Sequence, residues 1–358
     1  WRCRQEDCEA RTWTETDEAM ASRVLLTRRA AIDVTVMVGR DARPVAEQAR
    51  RFGVAWDTIH DAVEEFGRPL VDDPARVGTV RQLGVDETSY KAATPEAATV
   101  YATGMIDLDR RIVIDLIEGR SGSDLRRWLL RQPGGWFRAV KVVATDLTDA
   151  YRSGMVGLLD HARKVADPFH VVRVAQRCLD AIRRRVQNDT LGHRGRKGDP
   201  LYKIRKILLT GDERLTERGR TRLLEGLRLG DPNDEVLGGW LAREMVRDIY
   251  LTDSINLATI VLGRTIRACL DDDVPELHTL GQTLRKWWTE ILNHHRTGAS
   301  NGPTEGLNLC IKKVKRAGHG YRCFAHYRLR VLLHPGGCDW AKLTTRPAPI
   351  RTRRSPLN

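Results

Sequence analysis

The sequence predicts an α/β core interrupted by a long all-helical insert and preceded by a helical N-terminal segment. Three observations carry this. Residues 80–167 alternate apolar runs of strand length with helical stretches in the order β-β-β-α-β-α-β. From Phe169 to His295 the pattern turns almost wholly helical, broken only at Gly192–Pro200, Gly230–Asp234 and Asp271–Pro275. A net charge of +13 over 358 residues, with 41% hydrophobic residues, describes a folded chain with an acidic partner, most simply nucleic acid.

Taken in order, residues 1–15 hold Cys3 and Cys8 between Trp1 and Trp13. Cys3-x4-Cys8, flanked by Arg2 and Arg4, is half of a four-coordinate zinc site, and its alternative is two incidental cysteines. The chain opens at Trp1 without a Met, so a start further upstream is expected. Residues 17–66 read as helices: Glu18–Val38, then two shorter ones. Within 43–65, Ala49 is the small residue of a first helix, Gly53 sits in a turn, and Val54, Ile59 and Ala62 face inward. That is the spacing of a helix-turn-helix, with Trp56, Asp57 and His60 facing a major groove, although an ordinary helical hairpin shares it. Pro69 to Pro74, with Asp72 and Asp73, reads as a linker.

Val80–Val85, Thr99–Ile106 and Arg111–Ile117 are the first three strands. Ser121 opens a helix to Leu130 that Pro133-Gly-Gly ends, and Ala139–Ala144 is the fourth strand. Tyr151–Arg163 reads as a helix and Lys164–Ala166 as a fifth strand. A right-handed crossover through 121–130 lets the fourth strand pair in parallel with the first. Asp86 then closes the first strand and Asp146 the fourth, bringing two carboxylates to neighbouring strand ends. Like charges so close call for a divalent cation such as Mg²⁺ or Mn²⁺, the ligand set of phosphodiester chemistry. Either aspartate also suits a turn or a helix cap. A third acid, Glu305, lies on a helix opened by Pro303, where Asn301, Glu305, Asn308 and Lys312 form one stripe. A first-turn acid favoured by the helix dipole is the plainer account of Glu305 taken singly.

The last 49 residues hold four Lys and eight Arg against the single acid Asp339. Lys312, Lys315 and Arg316 extend the Glu305 stripe as candidate DNA-phosphate contacts, and residues 344–358 read as a disordered basic tail. No run of about 18 apolar residues occurs, so no membrane partner is expected. The seven scattered cysteines fit a reducing, cytoplasmic compartment rather than a disulfide framework.

The strings VDETSY (85–90), ATDLTDAYR (144–152), DPFHVVR (167–173), SNGPTEGLNLCIKKVKR (300–316) and GYRCFAHYRLRVLL (320–333), in this order, resemble bacterial insertion-sequence transposases of the ISL-three type. The resemblance runs from Trp1 to about Leu343. It implies an RNase H-like core whose DDE triad falls on Asp86, Asp146 and Glu305, holding Mg²⁺ or Mn²⁺. It implies cleavage at transposon ends and strand transfer into target DNA by a nucleoid-associated homo-oligomer. It also implies an upstream cysteine pair that completes a Zn²⁺ finger with Cys3 and Cys8. Asp167 also belongs to the family pattern, but Asp146 follows the longer strand and is the preferred second acid. His170 either supports the site or packs at a helix start.

The expected division is therefore 1–15 partial finger, 16–70 helix-turn-helix, 78–170 core, 171–298 helical insert, 299–343 glutamate helix with the remaining basic part of the core, and 344–358 tail. The competing function is a non-catalytic DNA-binding regulator derived from a transposase. An RNase H-like resolvase or nuclease shares the metal site but rarely carries both the helix-turn-helix and the long insert.

Overall fold

In the computed structural model, residues 2–9, 12 and 25–345 are described. The chain divides into two units. The first comprises residues up to Val80, Asp86–Arg131 and Pro303 onward; the second comprises Arg81–Val85 and Gln132–Gly302. No helix among the described residues is long and apolar enough to cross a membrane.

The first unit begins with α1 (Arg28–Gly39), α2 (Val45–Phe52), α3 (Trp56–Val71) and the short α4 (Pro74–Val77). Of the helix expected from Glu18, residues 18–24 lie outside the described set; α1 itself starts at Arg28, where Thr27 accepts the Ala30 N–H as N-cap. Gly53 ends α2 in the left-handed conformation that its turn requires. Val34, Val38, Ile59, Val63 and Leu70 are buried between these helices.

Pro69–Pro74 is not a linker. The helix α3 runs through Pro69, because Leu70 and Val71 are buried and their packing holds the last turn. Just beyond, the buried Arg76 guanidinium donates to the carbonyls of Val71 (2.8 Å), Val113 (3.3 Å), Ile114 (2.9 Å) and Gly336 (3.0 Å).

The strands are β1 (Gln82–Lys91), β2 (Val100–Asp107) and β3 (Ile112–Glu118), followed by α5 (Gly122–Leu129), which Ser121 and Asp124 open with a capping box. After α6 (Gly134–Ala139) come β4 (Val142–Thr145), α7 (Asp149–Met155) and β5 (Arg163–Ala166). The strand order is β3-β2-β1-β4-β5. β2 and β3 are antiparallel; β4 lies parallel to β1 with Val85 opposite Thr145, and parallel to β5.

Three expectations need correcting here. Asp86 does not close β1, which continues to Lys91; it stands one residue past the end of the pairing with β4. The fourth strand does not begin at Ala139: Pro133-Gly-Gly starts a further helix, α6, which buries Trp136 and runs to Ala139, and β4 begins at Val142. The helix expected over 151–163 stops at Met155, where a turn at Gly157 has φ 77° and Asp160 accepts the Gly157 N–H.

In the second unit the helices continue as α8 (Pro168–Leu191), α9 (Pro200–Ile204), α10 (Glu217–Gly230), α11 (Glu235–Leu251), α12 (Ile255–Asp271), α13 (Pro275–Lys286) and α14 (Trp288–Thr297). Val171, Ala175, Leu179, Ile182 and Val186 form the buried stripe of α8. They join Trp240, Val246, Leu262, Ile266, Leu280, Leu284 and Ile291 in one core. Trp287 is buried within this core, and Trp288 packs against it half-buried. Arg185 binds Glu276 (2.9 Å) and Glu235 (2.5 Å), clamping three helices.

Back in the first unit, α15 (Gly302–Ala317), α16 (Phe324–Leu333) and α17 (Lys342–Thr345) complete the chain. The span 301–333 is thus two helices rather than one with a basic extension. Arg330 is buried and donates to Arg43 O, and Arg328 pairs with Asp115 at 2.7 Å. Gly67 allows α3 to approach α16, for a Cβ there would stand 2.8 Å from Leu333 Cδ1. The basic tail expected over 344–358 falls almost wholly outside the described residues.

Candidate active site

Each unit carries part of the expected site. In the first, Asp86 is 8% exposed. Its Oδ1 accepts the Glu87 N–H (2.8 Å) and its Oδ2 accepts the Asn308 side-chain amide (2.5 Å). Asn308 lies on α15, whose buried residues Thr304, Leu307, Ile311 and Val314 recur every three or four positions and turn the rest of the helix away from the core. Glu305, exposed in the first turn, precedes Asn308 by three residues and so shares its face. Asn301 does not belong to that stripe, because the helix starts at Gly302. Glu87 pairs with Arg120 at 3.6 Å, the salt-bridge role its neighbouring position suggests.

Further along α15, Lys315 donates to the Ser89 carbonyl at 2.7 Å. Lys312, Lys315 and Arg316 line an open groove of about 490 Å³ with Thr88, Ser89 and His319. Lys312 and Arg316 form no ion pair among the described residues.

In the second unit, Asp146 follows the last residue of β4. Its Oδ1 lies 2.6 Å from His170 Nδ1, and Asp167 Oδ2 lies 3.4 Å from the same nitrogen. Neither approach has hydrogen-bond geometry, so both are close charge contacts. Burial opposes the imidazolium, but the two carboxylates outweigh it and push His170 up to about 10. Asp167 is buried, and its Oδ1 accepts the Asn301 N–H at 2.8 Å. It therefore anchors the loop before α15, whereas Asp146 remains partly open to solvent. The amide of Asn308 on Asp86 and the Asp167–Asn301 anchor are the two positioning contacts that sequence reasoning did not assign. The shared helical face of Asn308 and Glu305 was the available signal for the first; nothing local announced the second.

Of the groove-reading candidates, Trp56 and Asp57 are exposed. His60 is not turned outward. Its ring stacks on Trp56 (4.8 Å), one turn earlier on the same face, and meets His326 of α16 edge-on (4.2 Å). Hydrogen bonds from the Gln5 backbone and then the Cys8 side chain hold the Cys3 thiol below its ordinary range. Among the described residues, the three-member set of His, Cys, Asp or Glu whose ligand atoms lie within 4.8 Å of one another is His60, Glu64 and His326.

With a mixed sheet carrying acids beside its parallel pair, the comparisons with known proteins agree on a class. A transposase family profile, that of the ISL3 type, matches residues 83–331, and the chain belongs to that family. It is similar to the transposase for insertion sequence element IS1001 of Bordetella parapertussis, with 25% identity over 288 residues, 79% of this chain and 68% of that protein. It is also similar to the transposase for IS1557 of Mycobacterium tuberculosis, with 26% identity over 294 residues, 75% of this chain and 63% of that protein. The chain thus spans about two thirds of the length of these relatives.

Proposed function

We propose that the protein is a DNA transposase of the DDE class, with an RNase H-like core over 78–170 and 299–343, a helical insert over 171–298 and a helix-turn-helix within 16–70. It binds the ends of an insertion sequence, hydrolyses a phosphodiester there, and directs the freed 3′-hydroxyl onto target DNA. The observation that carries this is the register of β1 and β4: Val85 lies opposite Thr145 in a parallel pair, and Asp86 and Asp146 are the next residues along each.

Asp86, Asp146 and Glu305 would hold the divalent ions. Their donor set fits Mg²⁺ or Mn²⁺, being carboxylate oxygens throughout, one of them buried with its orientation set by the Asn308 amide. When bound, such ions supply Lewis-acid stabilisation of charge on the phosphoryl oxygens. The chain's own residues position the rest. Asn308 holds Asp86, the His170 imidazolium orients Asp146, and Lys312 and Arg316 meet the DNA backbone beside Glu305. Cys3 and Cys8 would contribute to a Zn²⁺ finger once two further ligands join them.

The test incubates the full chain with labelled DNA spanning the ends of its own insertion sequence, with Mg²⁺ or with EDTA. Products ending in 3′-hydroxyl are expected with Mg²⁺ alone. Asp86→Asn should lower cleavage at least about 100-fold, since a lost ion contact removes several kcal/mol of stabilisation, while leaving DNA affinity within about threefold. Tight binding by the unaltered chain with no product in any divalent ion would instead identify a non-catalytic DNA-binding regulator.

A further inference from the structure

A second, chemically different ligand set lies in the first unit. His60 and Glu64 stand four residues apart on α3, so one helix face presents both, and His326 reaches them from α16. Their candidate ligand atoms lie within 4.8 Å of one another. His60 Nε2 and Glu64 Oε1 are buried, neither has a hydrogen-bond partner, and they are 4.0 Å apart. Two buried polar atoms facing each other without a bond are destabilising unless something sits between them. Two ligands of a tetrahedral zinc ion, each at about 2.0–2.1 Å, stand roughly 3.3–3.5 Å apart, so His60 and Glu64 close by about half an ångström and His326 by at most about 1.5 Å, within the reach of side-chain rotation.

We propose that His60, Glu64 and His326 form a binding site for a divalent transition-metal ion of the zinc type, which staples α3 to α16. Two imidazoles and one carboxylate select such an ion over Mg²⁺ or Ca²⁺, which take oxygen ligands. Glu64 Oε2 is held by Arg68, and the Trp56 ring stacks on His60. A fourth position opens on a cavity of about 520 Å³ lined by Trp56, Tyr321, Arg322 and Arg330. His60 is then an internal ligand, and of the three groove-reading candidates Trp56 and Asp57 remain exposed.

The test uses the full chain carrying Cys3→Ser and Cys8→Ser, stripped with EDTA and returned to excess Mg²⁺ to saturate oxygen-only sites. Zn²⁺ and Co²⁺ are titrated as the probes. One ion should bind per chain, the melting midpoint should rise with Zn²⁺, and Co²⁺ should give visible d–d absorption without a thiolate charge-transfer band. His326→Gln and, separately, Glu64→Gln should each weaken binding at least 100-fold and abolish the melting shift, while far-UV circular dichroism matches the parent. A parent that takes up no ion overturns the site. So does uptake that is unchanged in either folded variant, because the ion would then be held elsewhere.

Discussion

At the scale of single residues, His170 shows how two carboxylates can reverse what burial dictates. Its pKa lies near 10 against an ordinary value of about 6.5, so the folded state retains the proton where the unfolded chain has lost it. The resulting stabilisation is fully present below pH 6.5 and is lost as pH rises through about 10. In metal-free buffer, His170→Asn should therefore lower stability most near pH 6, by roughly 1–3 kcal/mol, between the values for exposed and buried pairs. The gap to the parent should close as pH approaches 10. Urea titrations at several pH values check this, and a gap constant with pH would mean that His170 is neutral and merely packed. DPFH marked the residue in the sequence, but its partner Asp146 lies 24 positions earlier, just past the end of β4, which no local pattern reveals.

At the scale of elements, Arg76 explains how a stretch that looks like a Pro- and Asp-rich linker becomes a fixed joint. Four carbonyls, from the end of α3, from β3 and from the turn after α16, converge on one guanidinium. Arg76→Ala would strand those acceptors away from water, each costing about 1–3 kcal/mol unless a water reaches it. A loss of about 3 kcal/mol or more is expected, and Arg76→Lys should recover little of it, since a point ammonium cannot span the fork. An unaltered urea midpoint in Arg76→Ala would remove the joint from the account of this unit. The same joint corrects the helix boundaries: proline signals a break from its own geometry, but burial of Leu70 and Val71 outweighs that local preference.

For the molecule as a whole, the charge excess identified the class of partner before any site was known, but not which cations can meet it. Of the basic residues over 312–330, Arg330 is buried, Arg328 is spent on Asp115, and Lys315 is tied to Ser89. Lys312 and Arg316 remain on the groove, further along the helix that carries Glu305. Each phosphate neutralised contributes about 0.9 to the slope of log affinity against log salt. Replacing Lys312, Lys315 and Arg316 with Gln should therefore reduce the slope by about two units rather than three, with affinity falling for all DNA sequences alike. An unchanged slope in a folded variant would shift the phosphate contacts to other surfaces, α2 and α3 foremost.

The amino-acid sequence by itself determined the order of strands and helices, the crossover that sets β4 parallel to β1, the breaks after Leu191, Gly230 and Asp271, and the family. Those features are written in windows of a few residues: alternation, three-to-four spacing, glycine and proline punctuation, and five contiguous strings. Only the tertiary structure decided that Asn308 holds Asp86, that Asp167 anchors Asn301, that Arg330 is internal and that His60 faces His326. Each of these contacts joins residues more than 130 positions apart or depends on which helix covers a face. A side chain's chemistry is local, but its partner is chosen by packing, because a buried polar group must find whatever the fold brings within about 3 Å of it.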